Sequence, residues 1–155
     1  MAKTASATTA GKEWAEAALA SLRAQQGRRA GGARRAVVEL LARQRCCVTA
    51  QEIYDELRAE RRPVGLASIY RALEQLSSQG FLQRIELGAG VTRYEPVRPG
   101  GDHHHHLVCD ECGKVEAFAD ERLERALHRV EDESGYRVAL HDVVLHGACS
   151  DCGRV

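Results

Sequence analysis

Residues 49–95 read TAQEIYDELRAERRPVGLASIYRALEQLSSQGFLQRIELGAGVTRYE, and the order of signals within them decides the fold of the first part of the chain. Thr49 and Glu52 are spaced as a capping box: a threonine N-cap and a glutamate that reaches back to it. Ile53 and Leu57 follow at i, i+4, so a helix starts here. RRPVG (61–65) is a turn. Ile69, Leu73 and Leu76 then form one apolar face of a helix over about Leu66–Gln79, closed by Gly80. Residues 81–95 read as strand, glycine turn, strand, a small hairpin. Upstream, Val37, Val38, Leu40 and Leu41 mark a helix over about Arg34–Arg43. Trp14, Ala17, Ala18 and Leu22 mark another from Glu13 to about Gln26. Gly27, Gly31 and Gly32 separate the two. Residues 1–11 are small and polar and read as a disordered tail. Short helices followed by a hairpin describe a winged helix-turn-helix over residues 12–96. A generic three-helix bundle is the alternative, and the hairpin argues against it. The apolar stripe of the last helix leaves Ala67, Ser68, Tyr70 and Arg71 outward near its N-terminal end, where recognition helices touch bases and phosphates.

The charge distribution agrees with that reading. The formal net charge is zero, yet residues 1–98 hold 16 Lys/Arg against 10 Asp/Glu, and residues 99–155 hold 6 against 12. A basic module is the electrostatic footprint of a nucleic-acid binder. No apolar run reaches the roughly 18 residues of a membrane span, and the first residues lack the apolar core of a secretory signal. The expectation is a cytoplasmic protein. Its six cysteines then point to metal or redox chemistry rather than a disulfide framework.

After a hinge at 97–102, residues 103–155 form a second, ligand-rich module that opens on HHHHLVCDEC (103–112). Cys109-x-x-Cys112 recurs as Cys149-x-x-Cys152. Four thiolates in two such knuckles suit a closed, structural tetrahedral zinc site. A redox pair or a disulfide are the competing uses. Between the knuckles the pattern predicts a strand (Val115–Phe118), a helix (about Asp120–Ser134, closed at Gly135) and a strand (about Tyr136–Leu145). The histidine run is internal and abuts a knuckle, unlike an affinity tag. In an extended chain successive side chains alternate. His103 and His105 then face one way, with Glu124 on the helix and His141 on the last strand as partners. His104 and His106 face the other way, with Glu95 at the end of the hairpin as a partner. Three metals could be served in all. His128 and His146 have no such context.

Taken together, GLASIYRALEQL (65–76), HHHHLVCDECGKV (103–115) and CSDC (149–152) resemble the ferric uptake regulator superfamily of metal-responsive repressors over about Arg34–Cys152. The resemblance implies an α+β chain: an N-terminal winged helix-turn-helix DNA-binding domain followed by a small α/β dimerisation domain with a structural zinc site. It implies a homodimer that binds palindromic operator DNA when metal-loaded. It matches Cys109, Cys112, Cys149 and Cys152 to the structural zinc. It matches His103, His105, Glu124 and His141 to a site inside the dimerisation domain, and Glu95, His104 and His106 to the sensory site. The sensory site usually takes a further ligand, often a histidine, just before the helix that here begins at Thr49. This chain has Cys47 there, beside Cys46. Tyr70 and Arg71 match DNA-contacting residues, with Ser68 beside them.

Iron-branch members usually carry HHDH before the knuckle, whereas this chain has His105 in place of the Asp. All-histidine runs resemble the zinc-uptake branch, and nitrogen and thiolate donors suit Zn2+ better than Fe2+. The expectation is therefore a zinc-sensing repressor of metal-uptake genes, with an iron sensor of the same family as the alternative. A zinc hydrolase is a distant rival, since no HExxH signature is present. A zinc-storing structural protein is another.

Overall fold

The computed structural model describes residues 8–26, 31–88, 90–98, 104–139 and 141–153. The chain divides into two compact units, residues 1–101 and 102–155. The first holds α1 (Thr9–Gln26), α2 (Gly32–Leu41), α3 (Ala50–Ala59), α4 (Leu66–Ser78), β1 (Leu82–Glu86) and β2 (Thr92–Pro96). The second holds β3 (His105–Cys109), β4 (Val115–Phe118), α5 (Glu121–Ser134) and β5 (Val144–Gly147).

In the first unit the apolar stripes of the four helices converge. Leu22, Val37, Val38, Leu40, Leu41, Ile53, Leu57, Ile69, Leu73 and Leu76 are all essentially inaccessible. α3 begins as its sequence requires: Thr49 Oγ1 accepts from Glu52 N at 3.0 Å, and Glu52 Oε2 accepts from Thr49 N at 2.7 Å. Thr49→Ala removes one half of this reciprocal cap and is expected to cost about 1 kcal/mol, readable as a lowered midpoint of chemical denaturation. β1 and β2 pair antiparallel from Leu82↔Pro96 to Glu86↔Thr92. Val48 adds an isolated bridge to Tyr94 on the other side of β2, with both backbone bonds made (2.9 and 2.7 Å).

Three expectations for this unit need correction. The first helix begins at Thr9, not Glu13, so part of the segment read as a disordered tail is helical; residues 1–7 of that segment lie outside the described residues. Thr8 caps the helix, its Oγ1 accepting from Gly11 N at 3.2 Å. Gly11 is a close approach: a Cβ there would lie 2.3 Å from the Ala42 carbonyl oxygen, so α1 seats against the end of α2 only because this residue has no side chain. Second, Val97 and Arg98, read as hinge, are fastened to the first unit. Val97 N donates to Phe81 O at 2.9 Å. Arg98 Nη2 donates to the carbonyls of Leu41, Ala42 and Gln44 (3.4, 3.3 and 2.8 Å), supplying a cation to the end of α2, where the helix dipole favours one. The rest of the hinge, 99–102, lies outside the described residues. Third, α2 spans Gly32–Leu41 instead of Arg34–Arg43, a small boundary shift.

The second unit is a three-stranded sheet in the order β4-β3-β5, with β3–β4 antiparallel and β3–β5 parallel. α5 links β4 to β5. Asp120 caps it by accepting from Arg122 N and Leu123 N (2.8 and 3.0 Å), and Gly135 ends it at φ 72°. The last strand is shorter than the pattern over Tyr136–Leu145 implies. β3 offers partners only to Val144–Gly147, and upstream backbone turns to side chains instead: Val138 N donates to Glu131 Oε1 at 3.1 Å. His141 consequently sits in the segment leading into β5, not on a strand.

Among the described residues of this unit, the buried side chains are His105, His106 and Cys109. α5 buries none of its residues fully, while Leu107, Leu145, Val130 and Tyr136 are exposed. A unit of this size without an aliphatic core needs metal, disulfides or a second copy to hold it.

Candidate metal centres and nucleic-acid interface

The two knuckles meet. β3 delivers Cys109 into a tight turn in which Gly113 N returns to Cys109 O at 2.9 Å. A like turn follows β5, with Cys152 N and Gly153 N both bonded to Cys149 O (3.0 and 2.7 Å). Because β5 runs parallel to β3, the turns emerge at the same sheet end. All four sulfurs lie within 4.8 Å of one another. The Cys112 and Cys149 sulfurs are 3.8 Å apart, and two ligands of a tetrahedral zinc at about 2.3 Å each stand about 3.8 Å apart. The cysteines are not joined in disulfides. Backbone N–H groups of Cys149 and Cys112 hold the Cys109 thiol down to about 6. Its neighbours Cys149 and Cys112 push Cys152 up to about 12. Four sulfurs gathered within 4.8 Å of one another are the donor set a tetrahedral dication satisfies, so the residues fit zinc.

A second cluster joins His105, Glu124 and His141, again with ligand atoms within 4.8 Å. Glu124 bridges the rings: Oε1 is 2.7 Å from His105 Nε2 and Oε2 is 3.1 Å from His141 Nε2. Val143 N donates to His105 Nδ1 at 3.3 Å, which places the proton of the neutral ring on Nε2 and aims it at Glu124. A metal taken here exchanges with such protons, so its affinity falls as pH falls. His103, the fourth residue of this set, lies outside the described residues.

The remaining set falls in two halves, one in each unit. In the second unit the rings of His104 and His106 are 5.2 Å apart. In the first, the Val48–Tyr94 bridge sets Cys47 opposite Glu95, an antiparallel pairing that sequence reading missed. Both residues are buried. Glu95 Oε2 accepts from Gln83 Nε2 at 2.8 Å, and Cys46 Sγ is 3.8 Å from Cys47 Sγ. The hydrogen bond with Cys46, and then burial, push the Cys47 thiol up. His128 is exposed near Glu131, and His146 pairs with Asp110 at 2.9 Å on the surface.

On α4 the inward face is closed by Ile69, Leu73 and Leu76, leaving Ala67, Tyr70 and Arg71 exposed and Ser68 half-buried. Arg71 Nη2 donates to Ser68 Oγ at 3.2 Å, which holds the guanidinium near the N-terminal end of the helix. Arg71→Ala is expected to weaken operator binding by about 1–3 kcal/mol without changing the melting temperature; equal binding by a gel-shift titration would remove Arg71 from the interface.

A winged helix ahead of a small α/β unit carrying four clustered thiols and a histidine–carboxylate cluster defines a class: a metal-responsive, DNA-binding regulator. The ferric uptake regulator family model matches residues 25–146. The ferric uptake regulation protein of Neisseria meningitidis is 38% identical over 105 residues, covering 68% of this chain and 72% of that protein. The ferric uptake regulator of Vibrio cholerae superposes with a TM-score of 0.70 at 28% identity, covering 83% of this chain and 98% of that one. That of Helicobacter pylori gives 0.77 at 24% identity over 100% and 99%, a likeness of fold. The chain belongs to the ferric uptake regulator family. It is a metal-responsive transcriptional regulator, of a family whose members act as DNA-binding dimers. Among the described residues, no helix is long and apolar enough to cross a membrane.

Proposed function

We propose that this regulator senses zinc, and that in its zinc-loaded form it represses genes for metal uptake. Cys47, Glu95, His104 and His106 are the regulatory ligands. Cys109, Cys112, Cys149 and Cys152 hold structural zinc. His105, Glu124 and His141, with His103, form a further site in the dimerisation domain, and Ser68, Tyr70 and Arg71 contact the operator. The observation that carries the choice of metal is Cys47 set opposite Glu95 by the Val48–Tyr94 bridge: it offers a thiolate beside a carboxylate, and soft donors favour zinc over ferrous iron. The exposed Leu107, Leu145, Val130 and Tyr136 are surface for the partner protomer to cover.

The switch is a shift of population. Without regulatory metal the winged helices sample many positions relative to the dimer core. Ligands drawn from both units favour the arrangement in which two recognition helices fit successive major-groove half-sites. A change from 1:99 to 99:1 needs about 5.5 kcal/mol of differential affinity, within reach of ligands gained on closing.

Iron is the second reading, favoured by the ferric name of the Neisseria relative. Operator binding against buffered free zinc and, anaerobically, free ferrous iron separates the two. Zinc alone switching binding on supports the proposal. Iron alone doing so retains the fold and transfers the site to iron. Indifference to both metals returns the chain to a storage or structural role.

A further inference from the structure

Vicinal cysteines are uncommon ligands, and only Cys47 aligns with a ligand position of the family pattern. The geometry of the first unit gives its neighbour a role too. Cys46 and Cys47 precede the Val48–Tyr94 bridge, so their backbone is anchored to β2 on one side and to the capped start of α3 on the other. An anchored backbone fixes where the two sulfurs point. Consecutive residues of an extended segment direct their side chains to opposite sides, which would carry the two thiols apart. Here the chain bends at residues 45 and 46, and the sulfurs converge to 3.8 Å. The same 3.8 Å separates Cys112 and Cys149 within the four-thiol cluster. It matches the spacing of two thiolates sharing one tetrahedral ion at about 2.3 Å each. Cys46 is partly exposed where Cys47 is buried.

We infer that Cys46 and Cys47 together form a two-thiolate arm that presents soft-metal donors on the DNA-binding unit, making Cys46 a regulatory ligand in its own right. The inference rests on the reading of Cys47 and Glu95 as regulatory ligands and extends it. Two thiolates on the regulatory ion select zinc, and with it softer divalent ions such as cadmium, against ferrous iron. A single thiolate discriminates less.

The test uses the full-length dimer with its structural zinc in place, loaded at the regulatory site with cobalt(II), whose sulfur-to-cobalt charge-transfer absorbance in the near ultraviolet scales with the number of thiolate ligands. A Cys46→Ser, Cys47→Ser double variant supplies the background from any cobalt in the four-thiol cluster. The expected result is that Cys46→Ser and Cys47→Ser each lose about half of the band above background, with little change in melting temperature. In parallel, zinc should protect both Cys46 and Cys47 of the wild-type chain from alkylation, read residue by residue by mass spectrometry. If Cys46→Ser keeps the full band and Cys46 alkylates equally with and without zinc, the two-thiolate arm is wrong while Cys47 stands. If the wild type shows no band above the double variant and neither cysteine is protected, the arm fails together with the thiolate reading of the regulatory site.

Discussion

Glu95→Ala is expected to leave operator affinity at its metal-free level across the whole range of free zinc over which the wild type switches. The loss of zinc-dependent gain should exceed about hundredfold, since a switch built on roughly 5.5 kcal/mol has little left once a charged ligand is gone. His104→Ala should behave alike. Glu95 Oε2 accepts from Gln83 Nε2, and Gln83 is exposed on β1 and turns to water when the carboxylate is removed. Glu95→Gln checks this from the other side, keeping an acceptor for Gln83 while removing the charge that draws a dication. Both variants should remain dimers by sedimentation and keep structural zinc. Wild-type zinc response in either variant would end the assignment of Glu95, and in His104→Ala that of His104.

Such a result would test a part of the molecule that its sequence reveals unevenly. The helices of the first unit are announced locally. Thr49 and Glu52 are three residues apart, Ile69, Leu73 and Leu76 repeat at helical period, and Gly80 ends the run with a positive φ. Every one of those signals acts within a turn or two of its origin. The cap at Thr8 acts locally as well, yet it stands in a run of threonines, alanines and glycine with no apolar stripe to point to it. The pairing of Val48 with Tyr94 has no local trace, because 46 residues separate them and a single bridge imposes no alternation. That bridge brings Cys47 opposite Glu95. The same holds in the second unit. The alternation over Tyr136–Leu145 suggests a long strand, but strand length is set by the partner, and β3 is short. His141 therefore reaches Glu124 from an irregular segment. Cys-x-x-Cys spacing marks two knuckles, whereas their meeting depends on the parallel pairing of β3 and β5, a tertiary fact. The histidine alternation was legible because it needs only an extended backbone: His105 goes to Glu124, while His104 and His106 come together.

Cys109→Ser is expected to unfold the second unit while sparing the first. Serine cannot serve as an anionic ligand at neutral pH, so the substitution removes the thiolate and with it the closed zinc site. Cys109 is also the sulfur that ties the knuckles together, accepting from Cys149 N at 3.3 Å, and it is the buried member of the four. Structural zinc contributes about 10–16 kcal/mol in small zinc-dependent domains, comparable to or larger than the roughly 5–15 kcal/mol stability of a whole domain. The described second unit has no aliphatic core to compensate. Its buried groups are two histidines and this cysteine, and α5 buries none of its residues fully. The first unit is different: its helices bury ten aliphatic side chains almost completely, among them Leu40, Leu41, Ile53 and Leu73, and it does not draw on the knuckles. Calorimetry of the variant should therefore show one remaining cooperative transition, with zinc content reduced by the structural equivalent, loss of the dimer, and circular dichroism lowered by the share of α5. A strong chelator should bring the wild type to the same state, and added zinc should restore the wild type but not the variant. An unchanged melting temperature with undiminished zinc would mean that the four thiols do not hold the unit together, and the burden would pass to the dimer contact alone.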